Sequence, residues 1–97
     1  MQVSVRFFTM LREITDKREE TFTFPNNEPA TVNTVLRRLV KEYGKDLTEY
    51  VYDTKTGQVK GFLQFLVNGR SITTPKLFET KLADGDVLAI IPPVGGG

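Results

Sequence analysis

The sequence predicts an α+β domain in which one main helix packs on one face of a mixed sheet of four to five strands. Three observations carry this reading. The chain opens on an apolar alternation, Val3-Ser4-Val5-Arg6-Phe7-Phe8, and nearly closes on a second short apolar segment, Val87-Leu88-Ala89-Ile90-Ile91. One long stretch between them has helical period. The length, 97 residues, suits one domain with one modest core.

In the first segment Val3, Val5 and Phe7 share one face of a strand, and Ser4, Arg6 and Phe8 share the other. Met10, Leu11 and Ile14 then recur at helical spacing and predict a short helical turn. Thr21-Phe22-Thr23-Phe24 is a second alternating strand, stopped at Pro25. The two strands should run antiparallel across a wide connection at residues 9–19. Thr31 is the expected N-cap of the main helix, with Val32, Val35, Leu36, Leu39, Val40 and Tyr43 on its apolar face. Gly44 supplies a stop. The segment 45–61 is mixed and polar. Within it Tyr50-Val51-Tyr52 is expected to be a short strand, and Asp53-Thr54-Lys55-Thr56-Gly57 a turn.

Phe62-Leu63-Gln64-Phe65-Leu66-Val67 predicts a buried strand ending in an Asn68-Gly69 turn. Ser71-Ile72-Thr73 would return briefly, and Pro75-Lys76-Leu77-Phe78 would form a short helical or 3₁₀ turn. Asp84-Gly85 turns the chain into the final strand, and both Asp84 and Asp86 are explained by that turn. Phe7, Phe22, Phe24, Phe62, Phe65 and Phe78 are assigned to the core. The order β-β-α-β-β lets the first and last strands pair in parallel if the helix provides the crossover. That arrangement is the β-grasp, with one sheet face covered and the other open.

Composition narrows the chemistry. There is no Cys and no His, which removes thiolate catalysis, disulfides, Cys-ligated metals and the commonest general base. A net charge of +1 provides no field for nucleic acid or an anionic membrane. Arg37, Arg38, Lys41 and Lys45 read as a solvated helix face. No apolar run spans a bilayer, and no signal-peptide pattern opens the chain. The cytoplasm is the expected location.

The most informative stretch is the end, Ile90-Ile91-Pro92-Pro93-Val94-Gly95-Gly96-Gly97. Two prolines stop the strand and hold the following residues extended. Three glycines then bring the terminal carboxylate to the end of a thread with no side chains, able to enter a narrow channel. Residues 1–92 are expected to be the domain and 93–97 a flexible tail. Phe8 and Ile91, both facing outward, would form an apolar patch at the root of that tail, joined by Val87 and Ala89. Arg6 and Arg12 flank it and suit an acidic partner.

Val5-Arg6-Phe7-Phe8 with Leu11-Arg12-Glu13, and Leu82-Ala83-Asp84-Gly85-Asp86-Val87 leading through Pro92-Pro93-Val94 to Gly96-Gly97, resemble the MoaD/ThiS family of ubiquitin-like sulfur carriers. The resemblance is closest to its MoaD branch, the small subunit of molybdopterin synthase. It implies that Gly97 is adenylated by a MoeB-like activating enzyme, which uses ATP, and becomes a thiocarboxylate. The sulfur would then be delivered inside a MoaE-like large subunit during molybdenum cofactor synthesis. Gly96 would thread the channel, with Pro92, Pro93 and Val94 as its approach. The chain would bind no cofactor or metal and hold no catalytic residue of its own. Gly95 adds a third glycine, and residues 48–61 are longer than in compact bacterial forms. Both features resemble archaeal members, some of which are joined to lysines of target proteins. A protein modifier is therefore the alternative, and an inert-tailed binding module a third reading.

Overall fold

The first and last strands of the chain are hydrogen-bonded neighbours in the computed structural model, which describes residues 1–72 and 76–92. β1 (Gln2–Phe7) runs parallel to β7 (Val87–Ile91), with Val5 opposite Leu88 and Phe7 opposite Ile90. β2 (Glu19–Thr23) pairs antiparallel with β1. β4 (Gln64–Val67) pairs antiparallel with the other side of β7, and the short β5 (Arg70–Ser71) with β4. The sheet order is β2-β1-β7-β4-β5, and β3 (Ala30–Thr31) forms a separate small ribbon with β6 (Lys81–Leu82). α1 (Met10–Thr15), α2 (Val32–Tyr43) and α3 (Lys45–Val51) complete the fold with a 3₁₀ turn at Leu77–Glu79. This is the ubiquitin-like β-grasp.

α2 begins as its sequence dictates. The Thr31 hydroxyl accepts the Thr34 amide proton at 3.2 Å, and the Thr34 hydroxyl accepts from the Thr31 amide at 3.2 Å. This reciprocal cap satisfies two backbone donors that a bare helix end leaves free. Val32, Val35, Leu36 and Leu39 are fully buried against the inward residues of the sheet, Val3, Val5, Phe7, Phe65, Leu88 and Ile90. Each such side chain contributes about 1.5–3 kcal/mol on leaving water.

Two expectations fail, each for a local reason. Tyr50-Val51-Tyr52 is not a strand: Tyr50 and Val51 end α3, and only Tyr52 makes an isolated bridge, to Val59. Leu47 and Val51, four apart, are both fully buried, so this segment has its own apolar stripe at helical spacing. Gly44 ends α2, as the sequence predicts, and α3 follows it directly. With φ +73° the glycine takes a backbone that other residues rarely adopt and turns α2 into α3. Phe62 lies outside the core. It is 48% exposed in the turn before β4, with the Lys60 ammonium 5.8 Å from its ring centre. The strand starts later, at Gln64, and its inward positions are Phe65 and, just before it, Leu63. Arg38 is exposed, as read from the sequence, and in addition lays its guanidinium over Phe22 and Phe24, 5.4 and 5.6 Å from the ring centres. Of the expected segments at 71–73 and 75–78, Thr73 and Pro75 lie outside the described residues.

A polar cluster ties α2 to the sheet. The Tyr43 hydroxyl donates to Glu20 on β2, and the Tyr43 ring meets Phe7 edge-on at 6.3 Å. Lys17 pairs with Glu20 at 3.3 Å. Burial works to raise the Glu20 carboxyl, but its hydrogen bonds from Tyr43 and within the cluster, with the Lys17 charge, outweigh it and hold it below the usual range. Burial, then the bond to Glu20, push the Tyr43 hydroxyl well up.

Leu47→Ala should cost about 2–5 kcal/mol in urea denaturation, the loss expected for a buried leucine and too large for a residue in a surface loop. Tyr43→Phe keeps the ring contact and removes the donor, so it should cost about 1 kcal/mol at neutral pH. Because the bond lowers the folded-state pKa of Glu20, that deficit should be full above the ordinary glutamate range. It should shrink as pH falls through the lowered value. Thermal melts of both proteins across pH read it directly.

Candidate functional site

Strand alternation decides which side chains line the sheet face opposite α2. Val3, Val5, Phe7, Leu88 and Ile90 turn inward, so Arg6, Val87, Ala89 and Ile91 turn outward. Register then brings them together. Ala89 lies opposite Arg6 on one side and Leu66 of β4 on the other, and Ile91 lies opposite Gln64. The small Ala89 side chain leaves a shallow, open depression of about 370 Å³, walled by Phe8, Leu66, Val87 and Ile91 with Arg6 at its rim.

Turn chemistry sets the ends of this surface. Asn68 and Gly69, with φ +52° and +82°, connect β4 to β5 as a two-residue hairpin of the kind that needs positive φ at both positions. The Asn68 side chain accepts the Val87 amide proton and donates to Asp86, both at 2.9 Å. Asp86 also accepts from the Ala83 amide at 2.7 Å, and Asp84 accepts from the Gln2 amide at 2.7 Å. The two aspartates thus hold the start of β7 against β4 and β1, the turn role their spacing indicates.

At the opposite end, β1 breaks sharply. Thr9 takes φ +46° and ψ −116°, a strained backbone for a β-branched residue. The turn starts α1 and brings Arg12 back over the strand. Its Nε donates to the Phe7 carbonyl at 2.9 Å, and its guanidinium carbon lies 5.3 Å from the Phe8 ring centre. Phe8 is therefore held in place from above by a cation, as in other cation–π pairs. Arg6 and Arg12 are both exposed, and among the described residues neither forms an ion pair.

Of the six residues singled out for the surface, Phe8, Ile91, Ala89, Val87 and Arg6 line the depression along β7, and Arg12 reaches it through the Phe8 ring. Leu66 completes the wall and was missed. Its signal was present, since alternation within Gln64-Phe65-Leu66 puts Leu66 on the outer face. Pro92 follows β7 half-buried, while Pro93, Val94, Gly95, Gly96 and Gly97 lie outside the described residues. The depression holds no hydroxyl, thiol or imidazole, so it can bind but offers no nucleophile. Among the described residues no group of three or more acidic side chains is placed to hold a metal ion, and no helix is long and apolar enough to cross a membrane.

Comparison with known proteins agrees with the fold. The sequence matches the model of the ThiS family over residues 5–97. Small archaeal modifier protein 3 of Haloferax volcanii is 34% identical over 97 residues, the whole of both chains. The structure of small archaeal modifier protein 1 from Methanosarcina acetivorans superposes with a TM-score of 0.82 at 29% identity, over 99% of this chain and 96% of that one. A Pyrococcus furiosus structure provisionally assigned as molybdopterin converting factor, subunit 1, gives a TM-score of 0.71 at 25% identity, over 96% and 98% of the two chains.

Proposed function

The chain belongs to the ThiS family, and from that membership we propose that it is a sulfur carrier, acting as the small subunit of a molybdopterin synthase. Gly97 is the reacting residue. Its carboxylate attacks the α-phosphate of ATP in a MoeB-like activating enzyme, releasing pyrophosphate and leaving an acyl-adenylate. A sulfur nucleophile then displaces AMP, and the product is a terminal thiocarboxylate. Inside a MoaE-like large subunit this sulfur is passed to the molybdopterin precursor. The chain supplies the carrier, the thread and the grip, and its partners supply the catalytic groups.

One observation carries the reading: an apolar depression with Arg6 in its lining and Arg12 over its Phe8 wall lies beside Ile91, the last residue of β7. A thread alone binds poorly, because ordering it opposes binding by about 1–2 kcal/mol per residue. Phe8 and Ile91 are already half-buried, so covering what remains in a partner returns only part of the roughly 1.5–3 kcal/mol that full burial gives each. Arg6 and Arg12 at the rim suit a carboxylate-bearing surface, where they act on encounter rate and orientation. On this reading Gly95 and Gly96 thread the partner's channel, with Pro92, Pro93 and Val94 as its approach.

The full-length likeness to an archaeal modifier favours a second reading, in which the activated Gly97 is joined to lysines of other proteins. Activation is common to both, and the recipient differs.

Incubation with ATP, a sulfur source and the activating enzyme should raise the intact mass by the exchange of one oxygen for sulfur. Removing Gly96 and Gly97 together should abolish the gain; removing Gly97 alone leaves Gly95-Gly96 as a terminal pair and is the weaker test. No gain with a demonstrably active enzyme sinks the carrier role. Phe8→Asp and Ile91→Asp should each raise the KM for activation about tenfold or more while leaving the thermal midpoint nearly unchanged. Glycine remnants on lysines of other cellular proteins, without thiocarboxylate, would favour the modifier.

A further inference from the structure

The outer edge of the sheet points to a second binding surface, unrelated to the tail. β2 is the last strand on its side. Phe7 N donates to Arg18 O and Phe24 N to Met1 O, both at 2.8 Å, while Val5 lies opposite Glu20 and Val3 opposite Phe22. The backbone groups of residues 18, 20, 22 and 24 therefore face β1. Those of Glu19, Thr21 and Thr23 face away, presenting a row of amide protons and carbonyls. Such a row is a template for another strand. Among the described residues, the one partner found for it is Arg38, whose Nη1 donates to Thr23 O at 3.4 Å. That length is beyond the normal range for a hydrogen bond and is readily exchanged.

Between this edge and α2 runs an open groove of about 410 Å³, walled by Thr21, Thr23, Arg38, Lys41 and Glu42. Phe22 forms its floor, 3% exposed beneath the Arg38 guanidinium. Its lining carries both signs. Arg38, Lys41 and Glu42 are exposed, and among the described residues the two cations form no ion pair, whereas Glu20 is bound by Tyr43 and Lys17.

We propose that the β2 edge accepts an extended protein segment as an added strand, apolar in alternate positions and carrying carboxylates at one end. An incoming amide takes over Thr23 O and frees the Arg38 guanidinium. Arg38 and Lys41 then face the segment's carboxylates, and its apolar side chains lie over Phe22. Main-chain bonds supply the affinity and the groove supplies the choice, as in other strand-addition sites. The groove shares no lining residue with the depression at the root of the tail. A scaffold protein can therefore hold the domain by its edge while an enzyme works on Gly97.

The test uses the full chain, isotopically labelled, and the peptide acetyl-Val-Thr-Val-Thr-Val-Asp-Asp-amide. Binding should shift the amides of residues 19–23 and 37–41 and slow hydrogen exchange at the outward amides of Thr21 and Thr23. Arg38→Glu should weaken this peptide about tenfold or more and favour the same peptide ending in two lysines. As a check independent of any change to the protein, N-methylation of the peptide's alternate amides on one edge should abolish binding. Absence of shifts at millimolar peptide overturns the proposal, as does equal binding of the lysine-ended peptide to the unaltered chain. Slowed exchange at Thr21 and Thr23 that follows protein concentration without peptide also overturns it, since a second copy would then occupy the edge.

Discussion

The parallel pairing of β1 with β7 is the constraint from which the remaining architecture follows. Two parallel neighbours cannot be joined by a tight turn, so the chain must cross between them over one face. α2 makes that crossing, and its buried row of Val32, Val35, Leu36 and Leu39 closes the core as it does so. Because β7 then occupies the middle of the sheet, its outward residues stand beside those of both β1 and β4. Position in the sheet, more than any single side chain, is what assembles the surface at the end of β7.

The resulting surface is chemically plain. An alanine at its centre, aliphatic and aromatic walls and two arginines at the rim give shape and charge, with nothing that could transfer a proton or attack a carbonyl. Locked turns at either end hold that shape. Asn68, Asp84 and Asp86 fix where β7 begins, and the strained Thr9 turn lets Arg12 brace Phe8. Rigidity is thus built into both ends of the surface that β7 carries. Strain at Thr9 is tolerable because the α1 hydrogen bonds and the Arg12 contact over-determine the turn.

Most of this was legible in the sequence where a period was long enough to be unambiguous. The alternation of Val3, Val5 and Phe7 and the six-position stripe of α2 gave strand, helix and facing correctly. α3 was hidden because Tyr50-Val51-Tyr52 combines aromatic and β-branched residues that favour strands. Packing of Leu47 and Val51 overrides that preference. Phe62 and Leu66 share one cause. A continuous apolar run does not reveal which members face inward, and only the start of β4 at Gln64 decides it. The covering of Phe22 by Arg38 joins two elements distant in the chain, and no local spacing announces it.

The central place of β7 has a mechanical consequence. A pull on the tail acts along the axis of that strand, which is bonded to β1 on one side and β4 on the other. Both ladders are loaded in shear, so their hydrogen bonds share the force and must fail together; an edge strand pulled sideways would lose them one at a time. A force that draws on the C-terminal end of β7 therefore meets a strand held on both sides before any edge strand.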